Sequence, residues 1–168
     1  NMTRELFFEL TTEFRQLDAR INEYDNKIEQ IHKAHPVAQR LATIPGVGPL
    51  IATAIVAAVG DPHSFKNGRE FAAWLGLVPR QNSTGGKTKL GGITKRGNVY
   101  IRKLLVHGAR SVVMYSGRYE DKKSLWIQKL RIRRGMNRTA VANANKNARI
   151  LWALLVSDTA VYERKLAA

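Results

Sequence analysis

The fold that the sequence predicts is decided by residues 41–61, LATIPGVGPLIATAIVAAVGD. This stretch predicts a helix-hairpin-helix over residues 41–60, in which the turn Pro45-Gly46-Val47-Gly48 joins two helices and Pro49 opens the second. The glycines let the backbone approach a phosphate, and free N–H groups at the start of the second helix point towards it. Because the second helix is apolar nearly all round, it must be buried, and a turn that only packs two helices is the alternative.

Ahead of this stretch, residues 1–35 predict one long helix with a narrow apolar seam. Its members recur at alternating spacings of three and four residues: Phe7, Leu10, Phe14, Leu17, Ile21, Tyr24, Ile28 and Ile31. Such a seam favours a coiled coil, as a homodimer or higher oligomer, over packing on the chain's own C-terminal helices. His35 followed by Pro36 predicts the end of the helix. We expect a coiled-coil dimerisation helix over 1–35 and a compact helical domain over 36–168.

The rest of the chain predicts further helices and no strands, so the expected fold class is all-α. One helix, within residues 62–79, is capped by Gly76, and another follows Asn98 as its N-cap. A basic helix ends at Gly135, and the final helix runs from about residue 139 to residue 164. Between the first two of these helices, residues 80–98 are expected to form a glycine-rich loop.

The net charge of +15 is concentrated downstream of residue 34. Residues 35–168 hold 23 bases and six acids, and 17 of those bases lie between Arg80 and Lys146. Such a segment repels itself unless a polyanion lies against it. The pattern therefore favours a nucleic-acid partner over a basic surface that serves only solubility.

Several classes of protein are excluded by what the sequence lacks. Cysteine is absent, which excludes disulfides and thiolate metal sites. The acids downstream of residue 34 are too scattered to suggest a metal cluster, so no metal site is predicted in this chain. No apolar run is long enough to span a membrane, and the first residues do not resemble a secretory signal. We expect a cytoplasmic protein without a membrane partner.

The glycine-rich loop contains the segment QNSTGGKTKLGGITKRG, residues 81–97, in which one serine stands among basic residues. A phosphate loop of the Walker type is excluded, because Gln81 stands where that motif needs glycine and no strand precedes it. A hydroxyl surrounded by lysines and backbone N–H groups is expected where a phosphodiester is gripped or attacked. Ser83 is nevertheless a weak nucleophile without a base, and no histidine or acid lies nearby in sequence. A serine that merely caps a loop in a non-catalytic module is therefore the alternative.

The candidate nucleic-acid contacts fall into two groups. Backbone contacts to phosphate are predicted at the glycines of the two turns: Gly46, Gly48, Gly85 and Gly86. Side-chain contacts are predicted at basic residues of the loop and of the two helices that follow it: Lys87, Lys89, Lys95, Arg96, Arg102, Lys103, Arg131, Arg133 and Arg134.

The runs IPGVGPLIATAIVAAVGD, FKNGREFAAWLGLVPRQNSTGGKTKLGGITKRGNVYIRKLLVHGARSVV and WIQKLRIRRGMNRTAVANANKNARILWALL make the chain resemble a known family. They are similar to the C-terminal transposase domain of the insertion-sequence 110 family, which also appears under the labels 116, 902 and 1111. The resemblance covers about residues 41–160, and its middle run is the most specific.

The resemblance implies a recombinase guided by a structured bridge RNA, with a composite active site. An N-terminal RuvC-like domain with four acidic residues would bind Mg²⁺, and Ser83 would be the nucleophile that forms a transient phosphoserine link with DNA. Lys87, Lys95 and Arg96 fall in the same run. Nothing in this chain resembles the acidic domain, so we expect a fragment that is inactive alone, with Mg²⁺ bound outside it.

Overall fold

The computed structural model describes residues 2–166. Its helices are α1 (Met2–Ala34), α2 (Pro36–Leu41), α3 (Pro49–Ala58), α4 (Gly68–Trp74), α5 (Val99–Tyr115) and α6 (Lys122–Val156). Two strands, β1 (Pro79–Thr84) and β2 (Lys87–Ile93), lie between α4 and α5. Single turns of 3₁₀ helix lie at Pro62–Ser64 and Ser116–Arg118.

The seam of α1 is exposed along nearly the whole helix. At 33 residues, α1 is about 50 Å long at 1.5 Å per residue, and none of its residues is buried. Phe7 is 67% exposed and Ile21 is 56% exposed, while Ile28, near the junction with α2 and α3, is half-buried. Most of the seam therefore does not pack on the chain's later helices, and α1 contacts α2 and α3 only. The predicted end of the helix is confirmed, because His35 has extended dihedral angles ahead of Pro36.

Helices α2 to α6 share one core, which is filled by Leu41, Ile55, Phe71, Leu105 and Leu151. Two helices flank the turn, with Pro49 in the first turn of α3 as predicted, but α2 ends at Leu41, so only its last residue lies within the predicted stretch 41–60. Whether the pair acts as a helix-hairpin-helix towards phosphate stays a prediction, as does the domain boundary at residue 35.

Glycines hold the turn before α3 against α5. A Cβ built at Gly46, whose φ is +87°, would lie 2.7 Å from the carbonyl oxygen of Gly108. One built at Gly108 would lie 2.0 Å from the carbonyl oxygen of Gly46. The two backbones are therefore too close for any side chain between them.

The prediction of an all-α fold is wrong at the glycine-rich loop. Residues 79–93 form an antiparallel ribbon of two strands, with a bulge between Pro79 and Gln81. Gly85 and Gly86, with φ of +57° and +75°, form the two-residue turn at its tip. Positive φ at both central residues is the turn geometry that matches the twist of paired strands, and a Gly-Gly pair adopts it without strain.

The last helix is broken at one position and ends earlier than predicted. Gly135, with φ of 74° and ψ of 173°, divides α6 into a basic part and a core part, which confirms the predicted stop. The core part ends at Val156 rather than near residue 164. Residues 157–166 then return to the start of α6, where the N–H of Lys122 donates to the carbonyl oxygen of Lys165 at 3.0 Å.

Across residues 2–166, we find no helix with both the length and the apolar character needed to cross a bilayer.

Candidate nucleic-acid interface around a serine-bearing ribbon

Two close backbone crossings fix the root of the ribbon. A Cβ at Gly76 would lie 2.0 Å from the carbonyl oxygen of Arg96, and one at Gly97 would lie 1.8 Å from that of Trp74. Both glycines have positive φ, which other residues rarely adopt. The N–H of Thr94 also donates to the carbonyl oxygen of Val78 at 2.8 Å. These contacts attach an otherwise exposed ribbon to the core at one place.

Arg102 belongs to this root and not to the surface. It is only 8% exposed, and its guanidinium donates to the carbonyl oxygens of Leu75 at 3.1 Å and of Arg96 at 3.5 Å. Leu75 caps the C-terminus of α4, where a cation is favoured by the helix dipole. The buried guanidinium, whose Nη1 donates inside the protein, therefore gives Arg102 a structural role at the root, while a nucleic-acid contact at this residue stays a prediction.

Ser83 lies on β1 and is exposed to solvent. Its Oγ accepts a hydrogen bond from Nε2 of Gln81 at 2.9 Å. Ser83 pairs with Thr88 across the ribbon, and Gln81 pairs with Leu90. Residues directly opposite each other in paired strands point to the same face. These four residues therefore form one side of the ribbon, which we call the serine face.

The lysines of the ribbon are on its other side. Lys87 pairs with Thr84, and Lys89 pairs with Asn82. Because side chains alternate between faces along a strand, these four residues form the lysine face, opposite Ser83. The expectation that lysines surround the serine hydroxyl is therefore wrong for Lys87 and Lys89. Lys95 and Arg96 are both exposed at the root of the ribbon, and their position relative to the serine hydroxyl stays a prediction.

The four glycines predicted to meet phosphate lie in two kinds of surroundings. Around a Cβ built at Gly48, Gly85 or Gly86 there is open space, with no atom within 4 Å. Gly46 instead faces the backbone of α5. The tip of the ribbon and the first turn of α3 are therefore accessible to another molecule, whereas the position of Gly46 is explained by packing.

The remaining predicted contacts are exposed and are not neutralised. Lys103 is exposed on α5, and Arg131, Arg133 and Arg134 are exposed just before the break in α6. Within residues 2–166, the ion pairs shorter than 4 Å are Lys27 with Glu23 and Lys33 with Glu29, both on α1. No cation of residues 35–166 has such a carboxylate partner. The composition indicated an excess of charge, but only the structure shows that the few acids do not offset it locally.

One lysine in the first turn of α6 is buried. Lys123 is 7% exposed, and its ammonium donates to Oδ1 of Asn147. Burial, together with the nearby charge of Lys146, lowers the pKa of Lys123 to about 8. No periodicity in the sequence distinguishes this lysine from its exposed neighbours.

In the part of the chain that the structure describes, no group of three or more His, Asp or Glu residues is placed to hold a metal ion.

The segment that contains the ribbon matches a known protein family. The model of the family described as "Transposase IS116/IS110/IS902 family" matches residues 38–124, which is more than half of the chain and includes both strands. The chain belongs to this family.

Individual relatives agree with this assignment. A probable family 20 transposase of Pseudomonas aeruginosa is 51% identical over 155 residues, which cover 92% of this chain and 46% of that protein. The transposase for insertion sequence element IS1111A of Coxiella burnetii is 51% identical over 87% of this chain and 40% of its own length. A putative transposase of Sinorhizobium fredii is 42% identical over 93% of this chain and 41% of its own length. The chain thus spans less than half the length of these relatives.

Proposed function

We propose that this chain is the DNA-binding and catalytic-serine part of an insertion-sequence transposase, in which Ser83 attacks a DNA phosphate. The observation that carries the proposal is the position of Ser83, exposed on a ribbon that projects from a domain in which no cation of residues 35–166 has a carboxylate oxygen within 4 Å. A phosphodiester is attracted to such a domain, and the hydroxyl is accessible to it. Membership of a transposase family agrees with this chemistry.

The proposed reaction is a transfer of the phosphoryl group to serine. Oγ of Ser83 loses its proton and bonds to phosphorus, while the bond from phosphorus to one sugar oxygen breaks. That oxygen leaves with the bonding electrons and takes up a proton, which produces a free hydroxyl and a phosphoserine ester. Attack by a hydroxyl of another strand then restores a phosphodiester and releases serine, so that strands are exchanged without a redox step.

The side chain of Gln81 would assist by positioning the hydroxyl. Its amide already donates to Oγ of Ser83 at 2.9 Å, so it holds the side chain in one orientation and favours the oxygen as it gains negative charge. A base to accept the serine proton would come from outside residues 2–166, in the same region where we propose that Mg²⁺ is bound. The described residues form no metal centre, and none of the steps above depends on one.

Binding of DNA would use the exposed cations and the open turns. Lys95 and Arg96 lie at the root of the ribbon, Lys103 lies on α5, and the arginines of residues 131–134 form a second basic group. Gly85, Gly86 and Gly48 leave room for a phosphate at the tip of the ribbon and at the start of α3, where the proposed helix-hairpin-helix contact would be made. A guide RNA is proposed as a second polyanion for the same domain, because the charge is large and distributed over several surfaces.

The exposed seam of α1 supports self-association. A helix about 50 Å long with apolar residues in heptad spacing, none of them buried, is complementary to a second copy of itself. We therefore propose that two or more chains associate through α1.

Replacement of Ser83 in a full-length transposase that contains this chain tests the catalytic proposal. Ser83→Ala should abolish both strand cleavage and the protein–DNA link that survives denaturant, while DNA affinity is unchanged. Thr88→Ala is the matched control, because it removes a hydroxyl that lies directly across from Ser83 on the same face. Cleavage by Ser83→Ala at the normal rate would remove this serine from the mechanism.

A non-catalytic module that binds nucleic acid through phosphate contacts is the second candidate. It is favoured by one observation, which is that the hydrogen-bond partner of the Ser83 hydroxyl is an amide and not a base. In that case DNA binding would persist and decline with salt, but no denaturant-resistant link would form with the wild-type chain or with Thr88→Ala.

A further inference from the structure

A cavity of about 220 Å³ lies away from the ribbon, beside the C-terminal end of α5 and the start of α6. Its wall includes Tyr115, Tyr119, Ser111, Lys123 and, from the returning C-terminal segment, Arg164. Pockets that enclose whole small molecules measure roughly 300–1,000 Å³. The cavity is smaller than these, and suits a single planar ring system better than a complete nucleotide.

The two tyrosine rings of the cavity are partly exposed, and the guanidinium group of an arginine lies over each of them. Tyr115 is 50% exposed and Tyr119 is 44% exposed. The guanidinium carbon of Arg118 lies 4.7 Å from the centre of the Tyr115 ring, and that of Arg164 lies 4.3 Å from the centre of the Tyr119 ring. Exposed aromatic rings and guanidinium planes are the surfaces on which unpaired bases stack in proteins that bind single strands.

The polar groups of the wall favour an anionic ligand that also carries a ring. The carboxylate of Asp121 is occupied, because it accepts from the N–H groups of Lys123 and Ser124 and from the hydroxyl of Ser124. The ammonium of Lys123 has three N–H donors and uses one on Asn147. Arg164 and Lys123 are thus two cations against the single carboxylate of Asp121, whose charge interacts with both, so this part of the wall keeps a net positive charge. An apolar peptide or lipid would leave these charges unmatched, whereas a nucleotide strand brings a ring and phosphates together.

We propose that this cavity binds one unstacked base of a single-stranded DNA or RNA segment, against the rings of Tyr115 and Tyr119. The inference rests on the proposed function, in so far as the domain must bind nucleic acid. It adds a site that recognises a strand out of its duplex, which is the state of bases in a displaced DNA strand or in a loop of RNA. Phosphate contacts alone do not make that distinction.

Binding of short oligonucleotides by the 168-residue chain tests the proposal. Fluorescence anisotropy is measured with single strands of about 12 nucleotides, a length within the range that single-strand sites occupy. Oligothymidylate and oligouridylate are compared to distinguish DNA from RNA as the source of the base. Tyr115→Ala and Tyr119→Ala should each weaken binding about 5- to 150-fold, the range found when a stacking aromatic is removed. Tyr115→Phe and Tyr119→Phe, which keep the ring and the fold, should remain within about twofold of wild type.

The same assay contains the results that would overturn the proposal. Unchanged single-strand affinity in both alanine variants would do so, and so would wild-type affinity for a strand that lacks its bases. An equal loss on duplex DNA would also overturn it, since a base within a duplex cannot enter the cavity. If the wild-type chain bound no nucleic acid at low salt, the proposed function itself would fail, which is a different result from intact binding that ignores the tyrosines.

Discussion

Helix α1 and the β1–β2 ribbon are both exposed on nearly all sides, yet they differ in what they expose. The seam of α1 presents apolar side chains such as Phe7 and Ile21 to solvent, whereas the ribbon presents hydroxyls, amides and lysines. An exposed apolar stripe is unfavourable until a partner covers it. A polar ribbon needs no cover, but two strands alone are barely stable in water and depend on their attachment. The comparison supports the proposal that a second chain covers the seam of α1, and it indicates that the ribbon depends on its root.

The largest expected effect comes from charged substitutions in the seam of α1, which test whether the helix associates with a second chain. Leu17→Asp combined with Ile21→Asp should convert the associated chain to a monomer, with the dissociation constant raised more than about 1,000-fold. Each apolar side chain buried in a coiled coil contributes about 1.5–3 kcal/mol, and the change removes four of them from a dimer. Sedimentation equilibrium measures the mass. The control, Gln16→Asp combined with Asn22→Asp, adds the same charge away from the seam and should leave the mass unchanged. A wild-type chain that is monomeric at high concentration would contradict the coiled coil.

The next effect tests the root of the ribbon. Gly97→Ala should reduce the free energy of unfolding by about 3 kcal/mol or more, because the new Cβ would lie 1.8 Å from the carbonyl oxygen of Trp74 at a φ of +96°. At the tip, Gly86→Ala meets open space and should cost only about 1–2 kcal/mol for its positive φ. Gly92→Ala, with neither feature, should change stability by less than about 0.5 kcal/mol. Urea denaturation ranks the three variants, and equal losses would show that the root does not hold the ribbon.

The difference between the two regions also explains how well each was predicted from the sequence. A helix with one apolar face leaves a heptad spacing that can be read directly, and its end at His35 followed from Pro36. The ribbon has no apolar face, so the alternation that normally predicts a strand is absent. Its one local signal was Gly85-Gly86 between two runs of polar residues, a pair typical of a two-residue hairpin turn. Without that strand assignment, Ser83 and Lys87 could not be assigned to opposite faces.

The smaller errors arise from contacts between distant parts of the chain. Arg102 looks like any other base in a basic helix, and only the approach of Leu75 and Arg96 shows that its guanidinium is enclosed. The end of α6 at Val156 is set by where residues 157–166 return to the start of the helix, which no local pattern in the sequence indicates. By contrast, the N-cap at Asn98 and the break at Gly135 depend only on residues close to them in sequence. Both of these predictions are confirmed.

The smallest expected effects test whether the two faces of the ribbon have separate roles. Lys87→Ala and Lys89→Ala remove charges from the face opposite Ser83, so each should weaken DNA binding only several-fold and lower the slope of log affinity against log salt by about 0.9. Cleavage chemistry should be unaffected once DNA is saturating, because neither ammonium is on the side of the reacting hydroxyl. Gln81→Ala, on the serine face, should show the reverse pattern, with an unchanged salt slope and slower formation of the protein–DNA link. The contrary outcome is that the lysine variants slow the chemical step at saturating DNA as much as Gln81→Ala does. That result would show that the two faces do not act separately. The ribbon would then have to twist or move on binding DNA, so that its lysines reach the phosphate that Ser83 attacks.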